Sequence, residues 1–565
     1  MTHRVPSILS LDRWHSRSEL SVRRAFWVFA AVLLAFRLTV LAVLPLDLSG
    51  DEAYYWEWGR HLDWGYFSKP PGIGWLMALA GWVGDDTTFG IRMFAVLLGT
   101  GSLAFLFLLA LRLYGPAVAM ITAIVFVANP ANAALNLTLT IDAPLMFCWT
   151  LSLWAFWEFI QAGQASCPSR ERARTDREGV KGGKTRSRGE SSKAPAGAPL
   201  TGWKSVLLWG ALLLFGLIGG MLSKQMMMLF HPLAILFLAL SRDHRHQLRR
   251  PALWMILIGS FVALLPPLWW NIQNDWLTVK HTMHHFESGG VGIGKQIGRF
   301  FEFLASQLGI ITPVFYLLLL VLVVAVLWRW KVLGDRERFL WLFGGPALLL
   351  ILAMGLRQRI NPNWPAVFYA STIILMTGWA AGRWSLDLKL DRWRRAFPWG
   401  LRIAVGMAVA VYVAAFLFSF GYVRAGELDP LARLRGWSRM ARDVDAVRRD
   451  LPDGGELPLI TQGHRYLASE LAFYLAGHPR VYTFNPEPGT IRSQHDLWET
   501  PAAHLGRDCL LILAQKPDQL DPMLTNRFDS VTIHQIVRYP QEREGRQTLT
   551  IAIGRNLREW PALPN

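Results

Sequence analysis

The sequence predicts a polytopic α-helical membrane protein with a C-terminal α/β domain outside the membrane, and three observations lead there. Of 565 residues, 52% are hydrophobic and only 18% are charged, with 27 Trp and 31 Phe, a balance too apolar for a soluble multidomain chain of this length. Runs of about 20 apolar residues recur through the first three quarters, each long enough to cross a hydrocarbon core of about 30 Å. From about residue 425 the composition changes and short β-type runs begin. A collagenous, disordered or disulfide-stapled secreted chain is excluded. The net charge of +17 is carried in short clusters between apolar runs rather than on one basic face, so it reads as a set of topology signals and implies no nucleic-acid partner.

Apolar windows give eleven spans, at approximately 25–46, 90–111, 116–135, 143–162, 203–220, 225–240, 251–270, 300–328, 339–355, 365–381 and 398–422. Arg17, Arg23 and Arg24 precede the first run, and no small-residue cleavage pattern follows it, as in an uncleaved signal anchor. With the N-terminus cytoplasmic, the cytoplasmic segments collect about 29 Lys and Arg and the opposite loops up to residue 364 about 8, the asymmetry that the positive-inside rule expects. The odd span count then puts the C-terminus on the far side.

Two units follow: residues 1–424 span the membrane and residues 425–565 form the external α/β domain. Within the first lie an external loop at 47–89, a basic cytoplasmic linker at 163–202 and a second long external loop at 271–299. The linker is rich in Arg, Lys, Ser and Gly and nearly free of aromatics, as expected of a solvated, disordered segment. In the external domain a helical stretch from Asp429 to Leu451 precedes strand-like runs at 457–461, 480–484, 509–514, 530–537 and 549–553. Cys148, Cys167 and Cys509 fall in a span, the linker and the external domain, so no pair among them is expected to be bridged.

The most informative stretch is LSGDEAYYWEWGRHLDWGYFSKPPGIGWL, residues 48–76. Ser49 and Glu52 form an S-x-x-E capping box, so a helix is expected to start here and run to about Leu62. Asp51 and Glu52 are then either helix-start carboxylates or chemistry, and the Tyr and Trp residues either a headgroup belt or a binding wall. Tyr66, Lys69, Pro70 and Pro71 set a cation on a Pro-stiffened turn near the same surface. A cation beside two carboxylates at a membrane face suits an anionic substrate and a hydroxyl that must lose its proton.

The DE pair, the aromatic stretch and YFSKPP together resemble the GT-C membrane glycosyltransferases of the aminoarabinose transferase (ArnT) and protein O-mannosyltransferase type, in their bacterial branch. LTIDAPL (139–145), LSKQMMML (222–229), SQLGIITP (306–313) and NPNWPAVFY (361–369) are similar to later landmarks of that family. Each falls on the external side in the topology drawn from charge. The resemblance implies a GT-C fold and an inverting transferase acting at the periplasmic face of a bacterial inner membrane. It would move a sugar from a polyprenyl-phosphate carrier to an envelope acceptor, lipid A or another glycolipid. A protein O-glycosyltransferase is the nearest alternative, and a transporter or lipid flippase is the alternative of another class. Transporters tend to place ionisable groups near the bilayer midplane and to show repeated halves; here the charges gather in external loops, with Arg37 in the first span as the main exception.

Under this reading Asp51 is the base, with Glu52 and Asp142 beside it to position the acceptor or orient the base. Asp142, just before Pro144, has the alternative of capping its own span. Lys69, Tyr66, Lys224, Arg357 and Arg359 are the donor-phosphate contacts, although Lys224 also fits a snorkelling side chain and the two arginines fit interfacial anchors. His281, His284, His285 and Glu287 have a spacing suited to a divalent metal if helical, and a gating loop is the preferred reading of that segment. Some members of the resembled family hold a metal through an acidic residue directly before Lys-Pro-Pro; here that residue is Ser68. Asp443-Val444-Asp445 matches the DxD pattern of soluble glycosyltransferases, but it falls in an Arg-rich helical run and reads as a solvated helix face.

Overall fold

The computed structural model describes residues 18–165, 202–284, 292–386, 388–423, 429, 431–487, 489–539 and 548–560. Eight helices are long and apolar enough to cross a membrane: Glu19–Val43, Thr88–Tyr114, Asp142–Gly163, Trp203–Ser223, Pro251–Gln273, Pro313–Val332, Asp335–Gly355 and Lys389–Ser419. Shorter apolar helices at Pro116–Val127, Gln225–Leu240 and Ala366–Ala380 occupy the other three expected spans. Two of these are short because they are interior. Most side chains of Pro116–Val127 and all but the ends of Ala366–Ala380 are buried against other helices, so neighbouring protein rather than lipid covers them. One expected span is divided: residues 300–328 fall across two helices, Ile293–Ile311 and Pro313–Arg329, with Thr312 at φ 81° between them. Pro313 starts the second helix, where its missing N–H costs nothing.

Polar ties sort the helix ends into two sets. At one end Lys224 meets Asp142, Gln307 donates to the Pro362 carbonyl and Thr278 donates to the Tyr66 carbonyl. At the other, Tyr114 donates to Glu337, Arg336 to the Leu113 carbonyl and Gln247 to the Ile160 carbonyl. This is the alternation that the charge pattern predicts, and every candidate catalytic carboxylate lies in the first set. Arg37, buried in the first helix, donates to Asn132 and to Tyr412 of the last span, so the intramembrane charge pairs inside the bundle rather than snorkelling.

The C-terminal unit is a five-stranded sheet in the order β2-β1-β3-β5-β4. Its strands are β1 Leu459–Gln462, β2 Val481–Phe484, β3 Cys509–Leu513, β4 Phe528–Arg538 and β5 Thr548–Leu557, one for each predicted run. β1 pairs in parallel with β2 and β3, and β5 pairs antiparallel with β3 and β4. The predicted 429–451 helix is found as Trp437–Asp450, started by Gly436 at φ 91°, a conformation that glycine adopts without strain. In it Asp443 accepts from Tyr539, while Asp445 pairs with Arg448 and accepts from the Ala476 N–H. The DxD triplet is therefore helix-face structure, as the sequence suggested. Cys148 and Cys509 are free and buried; Cys167 lies outside the described residues.

One face of the sheet packs its own cluster of Ile460, Phe484, Leu511, Leu524, Phe528 and Leu557, and the other shares its core with the first external loop. Tyr54, Trp58, Ile73 and Met77 of the loop share one apolar cluster with Trp437, Val444, Leu467, Leu471 and Leu510. Polar links cross the same seam: the Gln494 N–H donates to the Tyr54 hydroxyl at 2.6 Å, the Leu48 N–H to the Tyr474 hydroxyl at 2.6 Å and the Trp437 N–H to Asp47 at 2.8 Å. At its centre Glu57 accepts from Ser469 and lies 3.3 Å from the His495 Nε2.

Burial pushes the Glu57 carboxyl up to about 7, against the opposing Ser469 hydrogen bond and the Arg480 and Arg60 charges. A carboxyl raised on folding contributes stability that is complete below its unfolded value and lost as pH rises through the folded one. The thermal midpoint of the wild-type protein is therefore expected to fall from about pH 4.5 to about pH 7 and to level off above that. Glu57→Gln should flatten that fall, and equal slopes for the two proteins would assign it to other groups.

Candidate active site at the membrane face

The site begins with the helix Gly50–Arg60. Ser49 caps it through the expected box, its hydroxyl accepting from the Glu52 N–H while Glu52 accepts from the Ser49 N–H. The Glu52 carboxylate then turns inward. It pairs with Arg92 of the helix Thr88–Tyr114, Oε1 to Nε at 3.0 Å and Oε2 to Nη2 at 2.9 Å, and Oε1 also accepts from the Leu139 N–H at 2.8 Å. Arg92 in turn donates to the Leu46 and Asp47 carbonyls. Glu52 is fully buried and both its oxygens are engaged. The expectation that it positions an acceptor is corrected: it fixes Asp51, its neighbour, and the 139–142 segment relative to each other.

Asp142 opens the helix Asp142–Ala165. Its Oδ1 accepts from Lys224 Nζ at 2.8 Å and its Oδ2 from Asn363 Nδ2 at 2.6 Å. Lys224 stands in an extended break between Trp203–Ser223 and the turn Gln225–Leu229, which is how a cation at a span end reaches the carboxylate. The Asn363 segment is held from behind by Gln307, which donates to the Pro362 carbonyl and accepts from Tyr369. Four motifs far apart in sequence thus meet around Asp142. Lys224 has two N–H groups left for an anion.

Lys69 follows the Tyr66–Lys69 turn, closed by the Tyr66 N–H on the Lys69 carbonyl. The helix Gly72–Gly84 then leaves along the end of Trp203–Ser223, and Gly72 allows the approach: a Cβ there would stand 2.6 Å from the Leu222 carbonyl oxygen. Among the described residues Lys69 makes no ion pair. Burial lowers its pKa, the Lys224 charge lowers it further, and Asp51 and Asp142 oppose both. Tyr66 is not beside it as a ligand. Its ring is fully buried and stacked on Trp58 at 4.4 Å, and its hydroxyl donates to the Trp58 carbonyl and accepts from the Asp63 N–H. The expected phosphate contact through Tyr66 is corrected to a structural role that shapes the loop.

Asp51 is the half-exposed carboxylate of the group. Its Oδ1 accepts from the Tyr466 hydroxyl at 3.0 Å and lies 3.4 Å from Arg465 Nη2, both on the C-terminal helix Arg465–Tyr474. Tyr55 lies buried between the carboxylates. Burial raises its pKa, and the charges of Asp51 and Asp142 add to the rise. Sequence reasoning missed Tyr466, Asn363 and Arg92. Asn363 lay inside a recognised motif; the other two depend on contacts that no local pattern announces.

Arg357 and Arg359 are exposed in the turn before Asn361, and among the described residues neither makes a hydrogen bond or ion pair to the Asp142 group. His285 and Glu287 of the metal reading lie outside the described residues, and of His284 only the backbone is described. His281 packs its ring on Phe67 at 4.7 Å. Among the described residues no three His, Cys, Asp or Glu side chains are grouped to hold a metal, and Ser68 supplies no carboxylate beside Lys69. His464 and Asp496 cap short helices.

Breaking the buried pair is expected to cost about 3–5 kcal/mol, because the remaining charge stays desolvated. Glu52→Gln should lower the thermal unfolding midpoint in detergent, and adding Arg92→Met should restore part of the loss. A double variant no better than the single one would argue against the pair.

Residues 68–167, from the Lys69 turn to the end of the Asp142 helix, match the family model for dolichyl-phosphate-mannose-protein mannosyltransferase. The lipid A galacturonosyltransferase RgtD of Rhizobium johnstonii is 26% identical over 442 residues, 76% of this chain and 78% of that protein. Among solved structures, ArnT from Cupriavidus metallidurans bound to undecaprenyl phosphate superposes with a TM-score of 0.58 at 14% identity, covering 93% of this chain and 98% of the other. Its apo state gives 0.54 at 15% identity, covering 94% and 98%. The fold is that of ArnT, and the sequence similarity is to membrane glycosyltransferases. The chain accordingly has the GT-C fold of ArnT and, over three quarters of its length, sequence similarity to a membrane glycosyltransferase.

Proposed function

We propose that this enzyme transfers a sugar from a polyprenyl-phosphate carrier to lipid A at the periplasmic face of the bacterial inner membrane, with inversion at the anomeric carbon. The observation that carries the reading is the state of the charges at the site. Glu52 and Asp142 have both oxygens engaged, whereas Asp51 is half exposed and Lys69 stands without an ion pair among the described residues. One carboxylate and one cation are thus left for substrate, and the donor's phosphate and the acceptor's hydroxyl need one of each. The lipid A acceptor in RgtD and the undecaprenyl phosphate in ArnT support the choice of substrates.

In this mechanism Asp51 takes the proton of the acceptor hydroxyl. The oxygen attacks the anomeric carbon from the face opposite the phosphate, and the bonding pair of the glycosidic oxygen leaves with the phosphate. Lys69, supported by Lys224, stabilises the charge that develops there. Asp142 holds Lys224 and Asn363 in place from behind.

Asp51→Asn is expected to lower kcat by about 10²- to 10⁴-fold, the usual contribution of a positioned base. Mass spectrometry of envelope lipids from a deletion strain carrying this variant should then show lipid A without the added sugar. Restoration of the wild-type profile would remove Asp51 from the role, and loss of a glycan from exported protein alone would shift the acceptor to protein.

Because its pKa is lowered, Lys69 loses its charge earlier than an ordinary lysine as pH rises, so kcat/KM should decline on the alkaline side below the usual lysine range. Lys69→Met should remove that limb together with most donor affinity. A limb that persists in the variant belongs to another group.

A further inference from the structure

Among the contacts that join the C-terminal domain to the first external loop, one is made with Asp51 itself. Tyr466 and Arg465 approach the same oxygen, Oδ1, at 3.0 Å and 3.4 Å. Among the described residues Oδ2 accepts no hydrogen bond. The guanidinium of Arg465 is itself fixed, with its Cζ 4.9 Å from the ring centroids of both Tyr54 and Tyr466. The Tyr466 ring lies directly on the backbone of Gly50, where an added Cβ would stand 2.2 Å from Tyr466 Cγ. Only glycine at the first turn of the catalytic helix admits that ring. The register of the contributing helix is set by the Ser469–Glu57 and Tyr474–Leu48 bonds one and two turns along.

We infer that Tyr466 and Arg465 are positioning residues for the base: they hold Asp51 by one oxygen, aim the other at the acceptor, and make the active site complete only when the C-terminal domain is docked. The inference rests on the reading of Asp51 as base. Two donors on one oxygen stop the rotation of the carboxylate, so Oδ2 is aimed before the acceptor arrives. The proton of the acceptor hydroxyl passes to Oδ2, the new bond forms from the acceptor oxygen to the anomeric carbon, and the carbon–phosphate-oxygen bond breaks with its electron pair going to the phosphate. Neither positioning residue is consumed. Burial pushes the Tyr466 hydroxyl up to about 12, so it stays a donor throughout. The other titratable or charged groups acting around Asp51 are Tyr55 on its own helix, Lys69 of the loop and His464 at the start of the C-terminal helix.

The test measures kcat and KM of the full-length enzyme in detergent for Tyr466→Phe, Arg465→Gln, Gly50→Ala and Asp51→Asn. Tyr466→Phe should lower kcat by about ten- to a hundredfold with KM little changed, the size expected for one hydrogen bond to a charged group. Arg465→Gln should lower kcat in the same way with KM little changed. Gly50→Ala removes no functional group yet should reproduce the Tyr466→Phe split of kcat and KM, and the double variant should be no slower than Gly50→Ala alone. If Gly50→Ala fails to accumulate, Tyr466→Phe decides alone, since it keeps the ring. Wild-type kcat in Tyr466→Phe, with Asp51→Asn inactive, overturns the inference and leaves the base in place. An active Asp51→Asn overturns the base reading itself.

Discussion

The external face of this enzyme is organised around the buried pair of Glu52 and Arg92. One carboxylate collects two bonds from the guanidinium, one from the Leu139 N–H and one from the Ser49 N–H. It thereby joins a membrane-spanning helix, the first external loop and the segment that carries Asp142. A buried ion pair contributes little net stability, but it enforces one arrangement, because any other leaves a desolvated charge without a partner. With that arrangement fixed, Asp51 projects about 100° round the same helical turn.

Around this anchor the polar groups divide into those that hold the scaffold and those left for substrate. Asp142, Lys224, Asn363 and Gln307 bind one another and tie four loops into one rim. Tyr66 and Glu57, polar enough to look functional, are enclosed by aromatic rings and by the C-terminal domain. What remains open is a half-exposed carboxylate and a cation on a Pro-stiffened turn. Such a separation suits a reaction in which one proton must leave and one phosphate must be stabilised, since each opposing charge within the site otherwise has a fixed partner.

Much of the fold was legible because membrane spans and short strands write themselves as local patterns. Each of the eleven apolar runs falls on an apolar helix among the described residues, one of them divided at Thr312, five β-type runs became five strands, and the S-x-x-E box became the start of the Gly50–Arg60 helix. The break at Thr312 was hidden because hydropathy averages across a kink that one positive φ creates. Among the site residues, Asp51 and Lys69 could be read from charge placed in an aromatic loop. Glu52 and Tyr66 could not be separated from them, because an ionisable or hydroxyl group carries the same letter whether it faces a substrate or an interior partner. Arg465 and Tyr466 lie more than 400 positions from Asp51, and no periodicity reaches across that distance.

The pairing of Arg37 with Asn132 and Tyr412 has a consequence for how the protein is made. The first helix enters the membrane carrying a charge whose second partner belongs to the last span, and that span leaves the ribosome after nearly four hundred further residues. Until then the guanidinium has Asn132 alone and remains exposed to the cost of an incompletely paired charge in lipid. The final helix therefore does more than precede the C-terminal domain: its Tyr412 hydroxyl completes the polar contact that the first helix has lacked since insertion.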